Sequence, residues 1–341
     1  MQFIAVWLKQ YILQDYMSLN DICCYIPAWF GVLTTIITGL IAYECTIPIN
    51  ANQHLISYLF NSYNSNTGSA KLSKQPYLEC CIMTMLMMSI VPAHLMRSMG
   101  GGYDNESVAV TAMVLTFYCW IRSLRATNTV VSTMGIAILT GLSYFYMVAA
   151  WGGYVFVLNL IGVHAAVLVG LGRFTNKTYL AYSLFYVIGT ALAIQVPVVG
   201  YAPLKSLEQL GPCVVFLAYQ LLFVTEQMIQ LKRKSSTKPV TWIQAMTIRA
   251  QVFSVTAVVC IVLAMIMLPT GYFGPISSRV RGLFVKHTKT GNPLVDSVSE
   301  HKPASARAYF DYLHHISSIA PIGYVLVARS EERRVGKECR P

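Results

Sequence analysis

The sequence predicts an all-α polytopic membrane protein of about eight spans plus a truncated ninth, and three observations predict it. The 341 residues are 55% hydrophobic and only 11% charged, against roughly 25% charged in a soluble globular domain. The apolar residues come in long runs, without the shorter rhythm of amphipathic helices or half-buried strands. A run of about 20 apolar residues crosses the ~30 Å hydrocarbon layer as a helix, the fold of a single segment that satisfies its own backbone in lipid. A soluble enzyme, a disordered chain and a secreted disulfide scaffold are excluded.

Taken in order, residues 1–21 form an N-terminal flank that reads as an amphipathic helix on Phe3, Ile4, Trp7, Leu8, Tyr11 and Ile12. It has neither the basic start nor the small-residue cleavage site of a signal peptide. Residues 22–268 hold a bundle of eight runs: Ile22 to Tyr43, Cys80 to Met96, Ser107 to Ile121, Val130 to Ala150, Trp151 to Leu171, Leu180 to Val199, Cys213 to Ile229, and Val252 to Leu268. The third is short. The fourth and fifth are separated only by a Trp151-Gly152-Gly153 turn. Between the first two runs, Glu44 to Pro76 is Asn/Ser-rich and reads as a flexible loop. Residues 269–313 form a long polar loop, the kind of connection that is functional or disordered. Residues 314–328 start a ninth span too short to cross. Residues 329–341 change abruptly to a charged tail expected to be non-native.

The net charge of +11 is explained by loop bias and not by nucleic acid, since no basic stripe interleaved with aromatics occurs. Counting loops alternately, one side receives Lys71, Lys74, Arg122, Arg125, Arg173, Lys177, Lys232, Arg233, Lys234, Lys238 and Arg249. The short loops of the other side carry Arg97 and Lys205. The positive-inside rule places the first set in the cytosol. Seven of the nine cysteines lie in or beside apolar runs and read as small buried hydrophobes. None has zinc spacing.

Two acidic groups stand out. Tyr103-Asp104-Asn105-Glu106 follows Gly100-Gly101-Gly102 and precedes an apolar helix. Asp104 and Glu106 suit a hard divalent cation such as Mg²⁺ or Mn²⁺. They equally suit helix capping, because a helix N-terminus attracts anions. Asp296-Ser-Val-Ser-Glu300-His301 lies late in the long loop. Six spans separate Glu106 from Glu300, so both fall on one membrane face. Two acidic sites at one boundary suit a shared metal and a diphosphate leaving group. Arg97 can pair with these carboxylates or with phosphate, or snorkel to the interface. Glu226, inside a span, reads as a snorkelling acid and His164 as a hydrogen-bonded bundle histidine.

Tyr103-Asp-Asn-Glu106, Tyr144-Phe-Tyr-Met-Val-Ala-Ala-Trp-Gly-Gly-Tyr-Val-Phe156 and Ser297-Val-Ser-Glu-His301 resemble the catalytic STT-three subunit of oligosaccharyltransferase. Thr288 to Glu300 and Lys205-Ser-Leu-Glu-Gln209 are most similar to its single-subunit protozoan forms. The resemblance covers about Leu19 to Leu313. It implies a GT-C-type transmembrane helix bundle in the endoplasmic reticulum membrane, with Asp104, Glu106 and Glu300 facing the lumen. It implies transfer of an oligosaccharide from a dolichyl-diphosphate carrier to Asn of Asn-X-Ser/Thr in an acceptor polypeptide. By the same resemblance Asp104, Glu106 and Glu300 hold Mn or Mg, Asp104 and Glu300 are catalytic, and Arg97 and Glu300 bind substrate. Membrane lipid and other oligosaccharyltransferase subunits are the implied partners. The sequence departs from the family in lacking its first acidic luminal motif and any Trp-Trp-Asp-Tyr-Gly. The chain is therefore expected to be an internal piece, inactive alone. A transporter, another GT-C glycosyltransferase and a non-catalytic paralogue are the competing readings. A transporter places its polar groups mid-membrane, whereas these acids sit at one surface.

Overall fold

The computed structural model describes residues 2–13, 16–46, 76–235, 305–314 and 316–323, with isolated residues between 247 and 266. Among these, every regular element is helical. Helix α1 (Gln2–Leu8) continues as a π-helical turn (Lys9–Leu13). Then follow α2 (Leu19–Thr46), α3 (Pro76–Ile90), α4 (Pro92–Arg97), α5 (Asn105–Ser123), α6 (Val130–Ala150), α7 (Tyr154–Gly170), α8 (Asn176–Ile194), α9 (Ala202–Lys205), α10 (Leu207–Ser235) and α11 (Ala306–Leu313). Among the described residues, four helices are long and apolar enough to cross a membrane: Leu19–Thr46, Val130–Ala150, Asn176–Ile194 and Leu207–Lys232. Tyr77–Ile90 and Tyr154–Gly170 are shorter apolar helices. The protein is an all-α polytopic membrane protein.

The helices depart from the apolar runs for local reasons. The run from Cys80 to Met96 is broken at Val91, which is extended (φ −68°, ψ 121°). The residue before a proline disfavours the helical region, and Pro92 restarts the helix where its missing N–H costs nothing. Helix α8 begins four residues earlier than hydropathy predicts, because the Thr175 hydroxyl caps it by accepting from the Thr178 amide at 3.1 Å. Helix α10 runs past its apolar window at both ends, since polar residues outside lipid still suit a helix. The eighth apolar run lies mostly outside the described residues. Asp296 to His301, part of the truncated ninth span and the tail at 329–341 lie outside them too.

The chain divides into two compact units. The first contains the described residues of Met1–Ile36, Ile82–Ser107 and Ser278–Pro341. Within it, the start of α2 has two faces. Tyr25, Trp29, Val32, Leu33 and Ile36 are exposed, as a lipid-facing stripe requires, while Ile22, Ile26, Gly31 and Thr34 are buried. A Cβ on Gly31 would lie 2.4 Å from Ser98 Cβ, so the chain beyond α4 seats where only glycine leaves room. Helix α11 lies against α4. Phe3, Trp7 and Tyr11 near the N-terminus are exposed.

The second unit contains the described residues of Ile37–Cys81 and Val108–Ser277. Here α6 packs on α8, and α10 packs on α7 and α8. The core is aromatic: Tyr144, Tyr182, Phe185 and Tyr219 are almost fully buried. Two of the buried tyrosine hydroxyls find carbonyl acceptors. Tyr182 Oη donates to Pro212 O at 2.9 Å and Tyr219 Oη to Ala165 O at 2.9 Å. Trp120 Nε1 donates to His164 Nδ1 at 3.0 Å, giving His164 the hydrogen-bonded place expected of a bundle histidine. The loops sort to two ends. Lys177 Nζ, at the start of α8, donates to Ala126 O at 2.7 Å and Asn128 O at 2.5 Å in the loop before α6. At the opposite ends of those helices, Gln209 Nε2 donates to Tyr154 Oη at 3.2 Å. Arg122, Arg125, Arg173 and Lys177 thus belong to one end of this unit and Lys205 to the other.

Candidate functional site: an arginine-paired carboxylate at the head of helix α5

The candidate site occupies a short segment of the first unit. Helix α4 ends at Arg97, and Ser98 caps it, with its amide and hydroxyl both donating to His94 O at 3.0 and 2.9 Å. The chain then turns through Gly101, whose φ of +87° is strained for any residue with a Cβ. The Gly101 amide donates to Cys24 O of α2 at 2.9 Å, tying the turn to that helix. The Tyr103 hydroxyl is hydrogen-bonded to the Cys23 thiol. Partial burial and then this bond push the tyrosine up to about 12, so it stays protonated at any physiological pH. Helix α5 begins at Asn105.

This path places Arg97 and Glu106 together. The Arg97 Nη1 and a Glu106 carboxylate oxygen form an ion pair, with the arginine side chain 48% exposed and the glutamate 19% exposed. Glu106 lies in the first turn of α5, where the helix dipole also favours its charge. Asp104 is exposed. Its Oδ1 accepts from the adjacent Asn105 amide at 2.6 Å. A regular N-cap accepts from two or three residues further in, so Asp104 does not make the contact that would mark it as a simple cap.

Both carboxylates supply hard oxygen donors of the kind Mg²⁺ or Mn²⁺ prefers. Among the described residues no group of three His, Cys, Asp or Glu side chains is placed to hold a metal. Asp104 and Glu106 are two such donors, and further ligands would be needed to hold an ion. Glu300, the third acidic residue expected there, lies outside the described residues. Glu226 is half-buried in α10, and the Trp151-Gly152-Gly153 turn joins α6 to α7 as the sequence predicts.

Two polar constellations were not legible from the sequence. His94, three residues before Arg97, is only 8% exposed, and its Nε2 lies 3.2 Å from Thr35 Oγ1. A histidine inside an apolar run is the signal that marks it, because polar side chains at membrane depth are costly. In the second unit, Glu44 is 7% exposed and sits between two arginines, with Arg122 Nε at 3.5 Å and Arg125 Nη1 at 3.1 Å. Composition shows all three residues only as charges at loop edges.

Residues 79–335 match the family model described as Oligosaccharyl transferase STT3, N-terminal. The STT3 subunit of dolichyl-diphosphooligosaccharide–protein glycosyltransferase from Schizosaccharomyces pombe is 36% identical over 253 residues, covering 72% of this chain and 31% of the relative. The Dictyostelium discoideum subunit is 30% identical over 308 residues, 90% of this chain and 37% of the relative. The Saccharomyces cerevisiae subunit is 33% identical over 249 residues, 70% of this chain and 32% of the relative. The chain spans about a third of the length of these curated relatives. The helical membrane bundle, the paired Arg97 and Glu106, and a family match that takes in both lead to one conclusion: the chain belongs to the STT3 oligosaccharyl transferase family.

Proposed function

We propose that this chain supplies the transmembrane acidic site of an oligosaccharyltransferase catalytic subunit. In this reading the enzyme sits in the endoplasmic reticulum membrane. It moves an oligosaccharide from a dolichyl-diphosphate carrier to the side-chain nitrogen of Asn in Asn-X-Ser/Thr. Asp104, Glu106 and Glu300 face the lumen, and other oligosaccharyltransferase subunits are its partners. The observation that carries this reading is the Arg97–Glu106 ion pair beside exposed Asp104, at the head of helix α5 in a chain of this family.

The chemistry follows from the charges. The donor leaves as a dolichyl diphosphate, so the site must receive negative charge at a lipid–water boundary. Arg97 is half-exposed and already aimed at this segment, and its guanidinium can exchange a carboxylate oxygen for a phosphate oxygen. Asp104 and Glu106 would hold a Mn or Mg ion, and Glu300 would complete its ligands; that ion, when bound, neutralises charge on the leaving group. An amide nitrogen is a poor nucleophile, so Glu300 and Asp104 are assigned to hold and polarise the acceptor amide. Support for Glu300 comes from α11, which starts six residues after it and lies against α4, the helix that carries Arg97.

The test is transfer to a sequon peptide from a dolichyl-diphosphate oligosaccharide, using membranes that contain the full-length protein. Asp104→Ala or Glu300→Gln should abolish product while leaving the amount of protein unchanged. Wild-type rates in either variant would exclude this assignment.

A further inference from the structure

An ion pair with one half-exposed partner is screened by solvent and does not hold its own geometry. Its Coulomb gain in water is small, and ordering two long side chains offsets most of it. Arg97 is half-exposed, so something other than Glu106 must fix where its backbone lies. The first unit shows what does. Cys24, Gly31 and Thr35 lie along one stripe of α2, seven and four residues apart. Each meets a different part of the Arg97 segment. Cys24 O accepts from the Gly101 amide at 2.9 Å. Gly31 lies under Ser98, with no room for a Cβ. Thr35 Oγ1 lies 3.2 Å from His94 Nε2.

His94 meets α2 at Thr35 Oγ1 and at the Gly31 backbone. The Thr35 hydroxyl donates to Gly31 O at 3.0 Å. A hydroxyl has one proton, so in its contact with His94 the oxygen accepts and Nε2–H donates. That assigns a proton to Nε2 of a side chain that is only 8% exposed. The His94 carbonyl is also used, by both the amide and the hydroxyl of Ser98. Arg97 lies between these two anchored residues, with one of them on Thr35 and the other on Gly31.

We propose that His94 is a positioning residue for Arg97. Its Nε2–H bond to Thr35 docks helix α4 on α2, so that the guanidinium points at Glu106 and at the diphosphate of the donor. The proposal rests on the reading of Arg97 given above, and it predicts that His94 acts only through Arg97.

The experiment compares His94→Ala, His94→Gln, Thr35→Val, Arg97→Ala and the His94→Ala/Arg97→Ala double variant in full-length protein in membranes. Transfer is measured against the concentrations of dolichyl-diphosphate oligosaccharide and of sequon peptide separately. His94→Ala and Thr35→Val should each raise the donor KM by about three- to tenfold, the size of one lost hydrogen bond. The peptide KM should not move. His94→Gln, which keeps an N–H donor at the Nε2 position, should restore most of the donor KM. A purely structural role would lower the amount of active enzyme and leave both KM values unchanged. In the Arg97→Ala background the His94→Ala change should have no further effect, because contacts acting through one group are not additive. If the two losses multiply, or if Thr35→Val keeps the wild-type donor KM, the role of His94 is overturned and that of Arg97 stands. If Arg97→Ala transfers normally, the reading of the site itself fails, and the role of His94 fails with it.

Discussion

At the scale of the residue, the segment from Arg97 to Glu106 combines a solvent-accessible charge pair with a rigid backbone. The pair contributes little to folding, because solvent reaches the half-exposed Arg97 and a screened salt bridge is worth about 0–1 kcal/mol. Arg97→Ala should therefore leave thermal stability in detergent nearly unchanged while reducing transfer at least about tenfold, a loss of roughly 1.4 kcal/mol in transition-state binding. A large fall in melting temperature would show that the arginine is structural. Tyr103 makes a pH prediction. Its folded-state pKa is raised from 10.0 to about 12, so its contribution to stability is present below pH 10 and lost as pH rises towards about 12. Alkaline melts should decline less steeply in that window for Tyr103→Phe than for the wild type, and between pH 6 and 9 the two proteins should show parallel pH dependence. Arg97, Asp104 and Glu106 were legible in the sequence as polar residues crowded at the edge of an apolar run. The choice of Glu106 as partner for Arg97 was not, because the turn at Gly101 decides which carboxylate comes within reach.

At the scale of the element, small residues allow helices to approach closely. A Cβ on Gly189 of α8 would lie 2.7 Å from Tyr144 Cδ1, on a ring only 1% exposed. Gly189→Ala gains up to about 1 kcal/mol of helix propensity but overpacks a buried ring, at about 1–3 kcal/mol. Overpacking should win, and the melting temperature should fall. Gly135→Ala in α6 is the control, since nothing lies within 4 Å of its Cβ; it should be neutral or stabilising. Glu44 ties the end of α2 to Arg122 of α5 and to Arg125 just beyond it. Glu44→Gln leaves two largely buried arginines without their counter-ion. Breaking such a group costs about 3–5 kcal/mol, so this variant should lose more stability than Arg97→Ala. Equal melts for the two would mean that water already screens the cluster. Hydropathy located the helices but not their ends, because caps such as Thr175 and breaks such as Val91-Pro92 are set by backbone geometry and not by burial in lipid.

At the scale of the whole molecule, the basic loops give the orientation to be tested. Arg173 and Lys205 belong to opposite ends of the second unit. If the basic end is cytosolic, a cysteine at 173 should react with an impermeant thiol reagent outside sealed microsomes. A cysteine at 205 should react only after permeabilisation, once background cysteines are removed. The reverse pattern would invert the topology and place Asp104 and Glu106 in the cytosol. Chelation supplies the other test at this scale: removing divalent ions should stop transfer, and Mn²⁺ or Mg²⁺ should restore it. Composition and apolar runs alone determined the class of the molecule, because a membrane imposes one simple condition, about 20 apolar residues in a helix with its backbone satisfied. The motifs identified the family, and loop charge gave an expected orientation. Only the tertiary structure decided which polar groups meet: Arg97 on Glu106, His94 on Thr35, Glu44 between Arg122 and Arg125. Those pairings join residues from 9 to 81 positions apart in the chain, and their reach depends on helix packing at single glycines and on turns with special backbone angles. No local rule of residue spacing encodes that geometry.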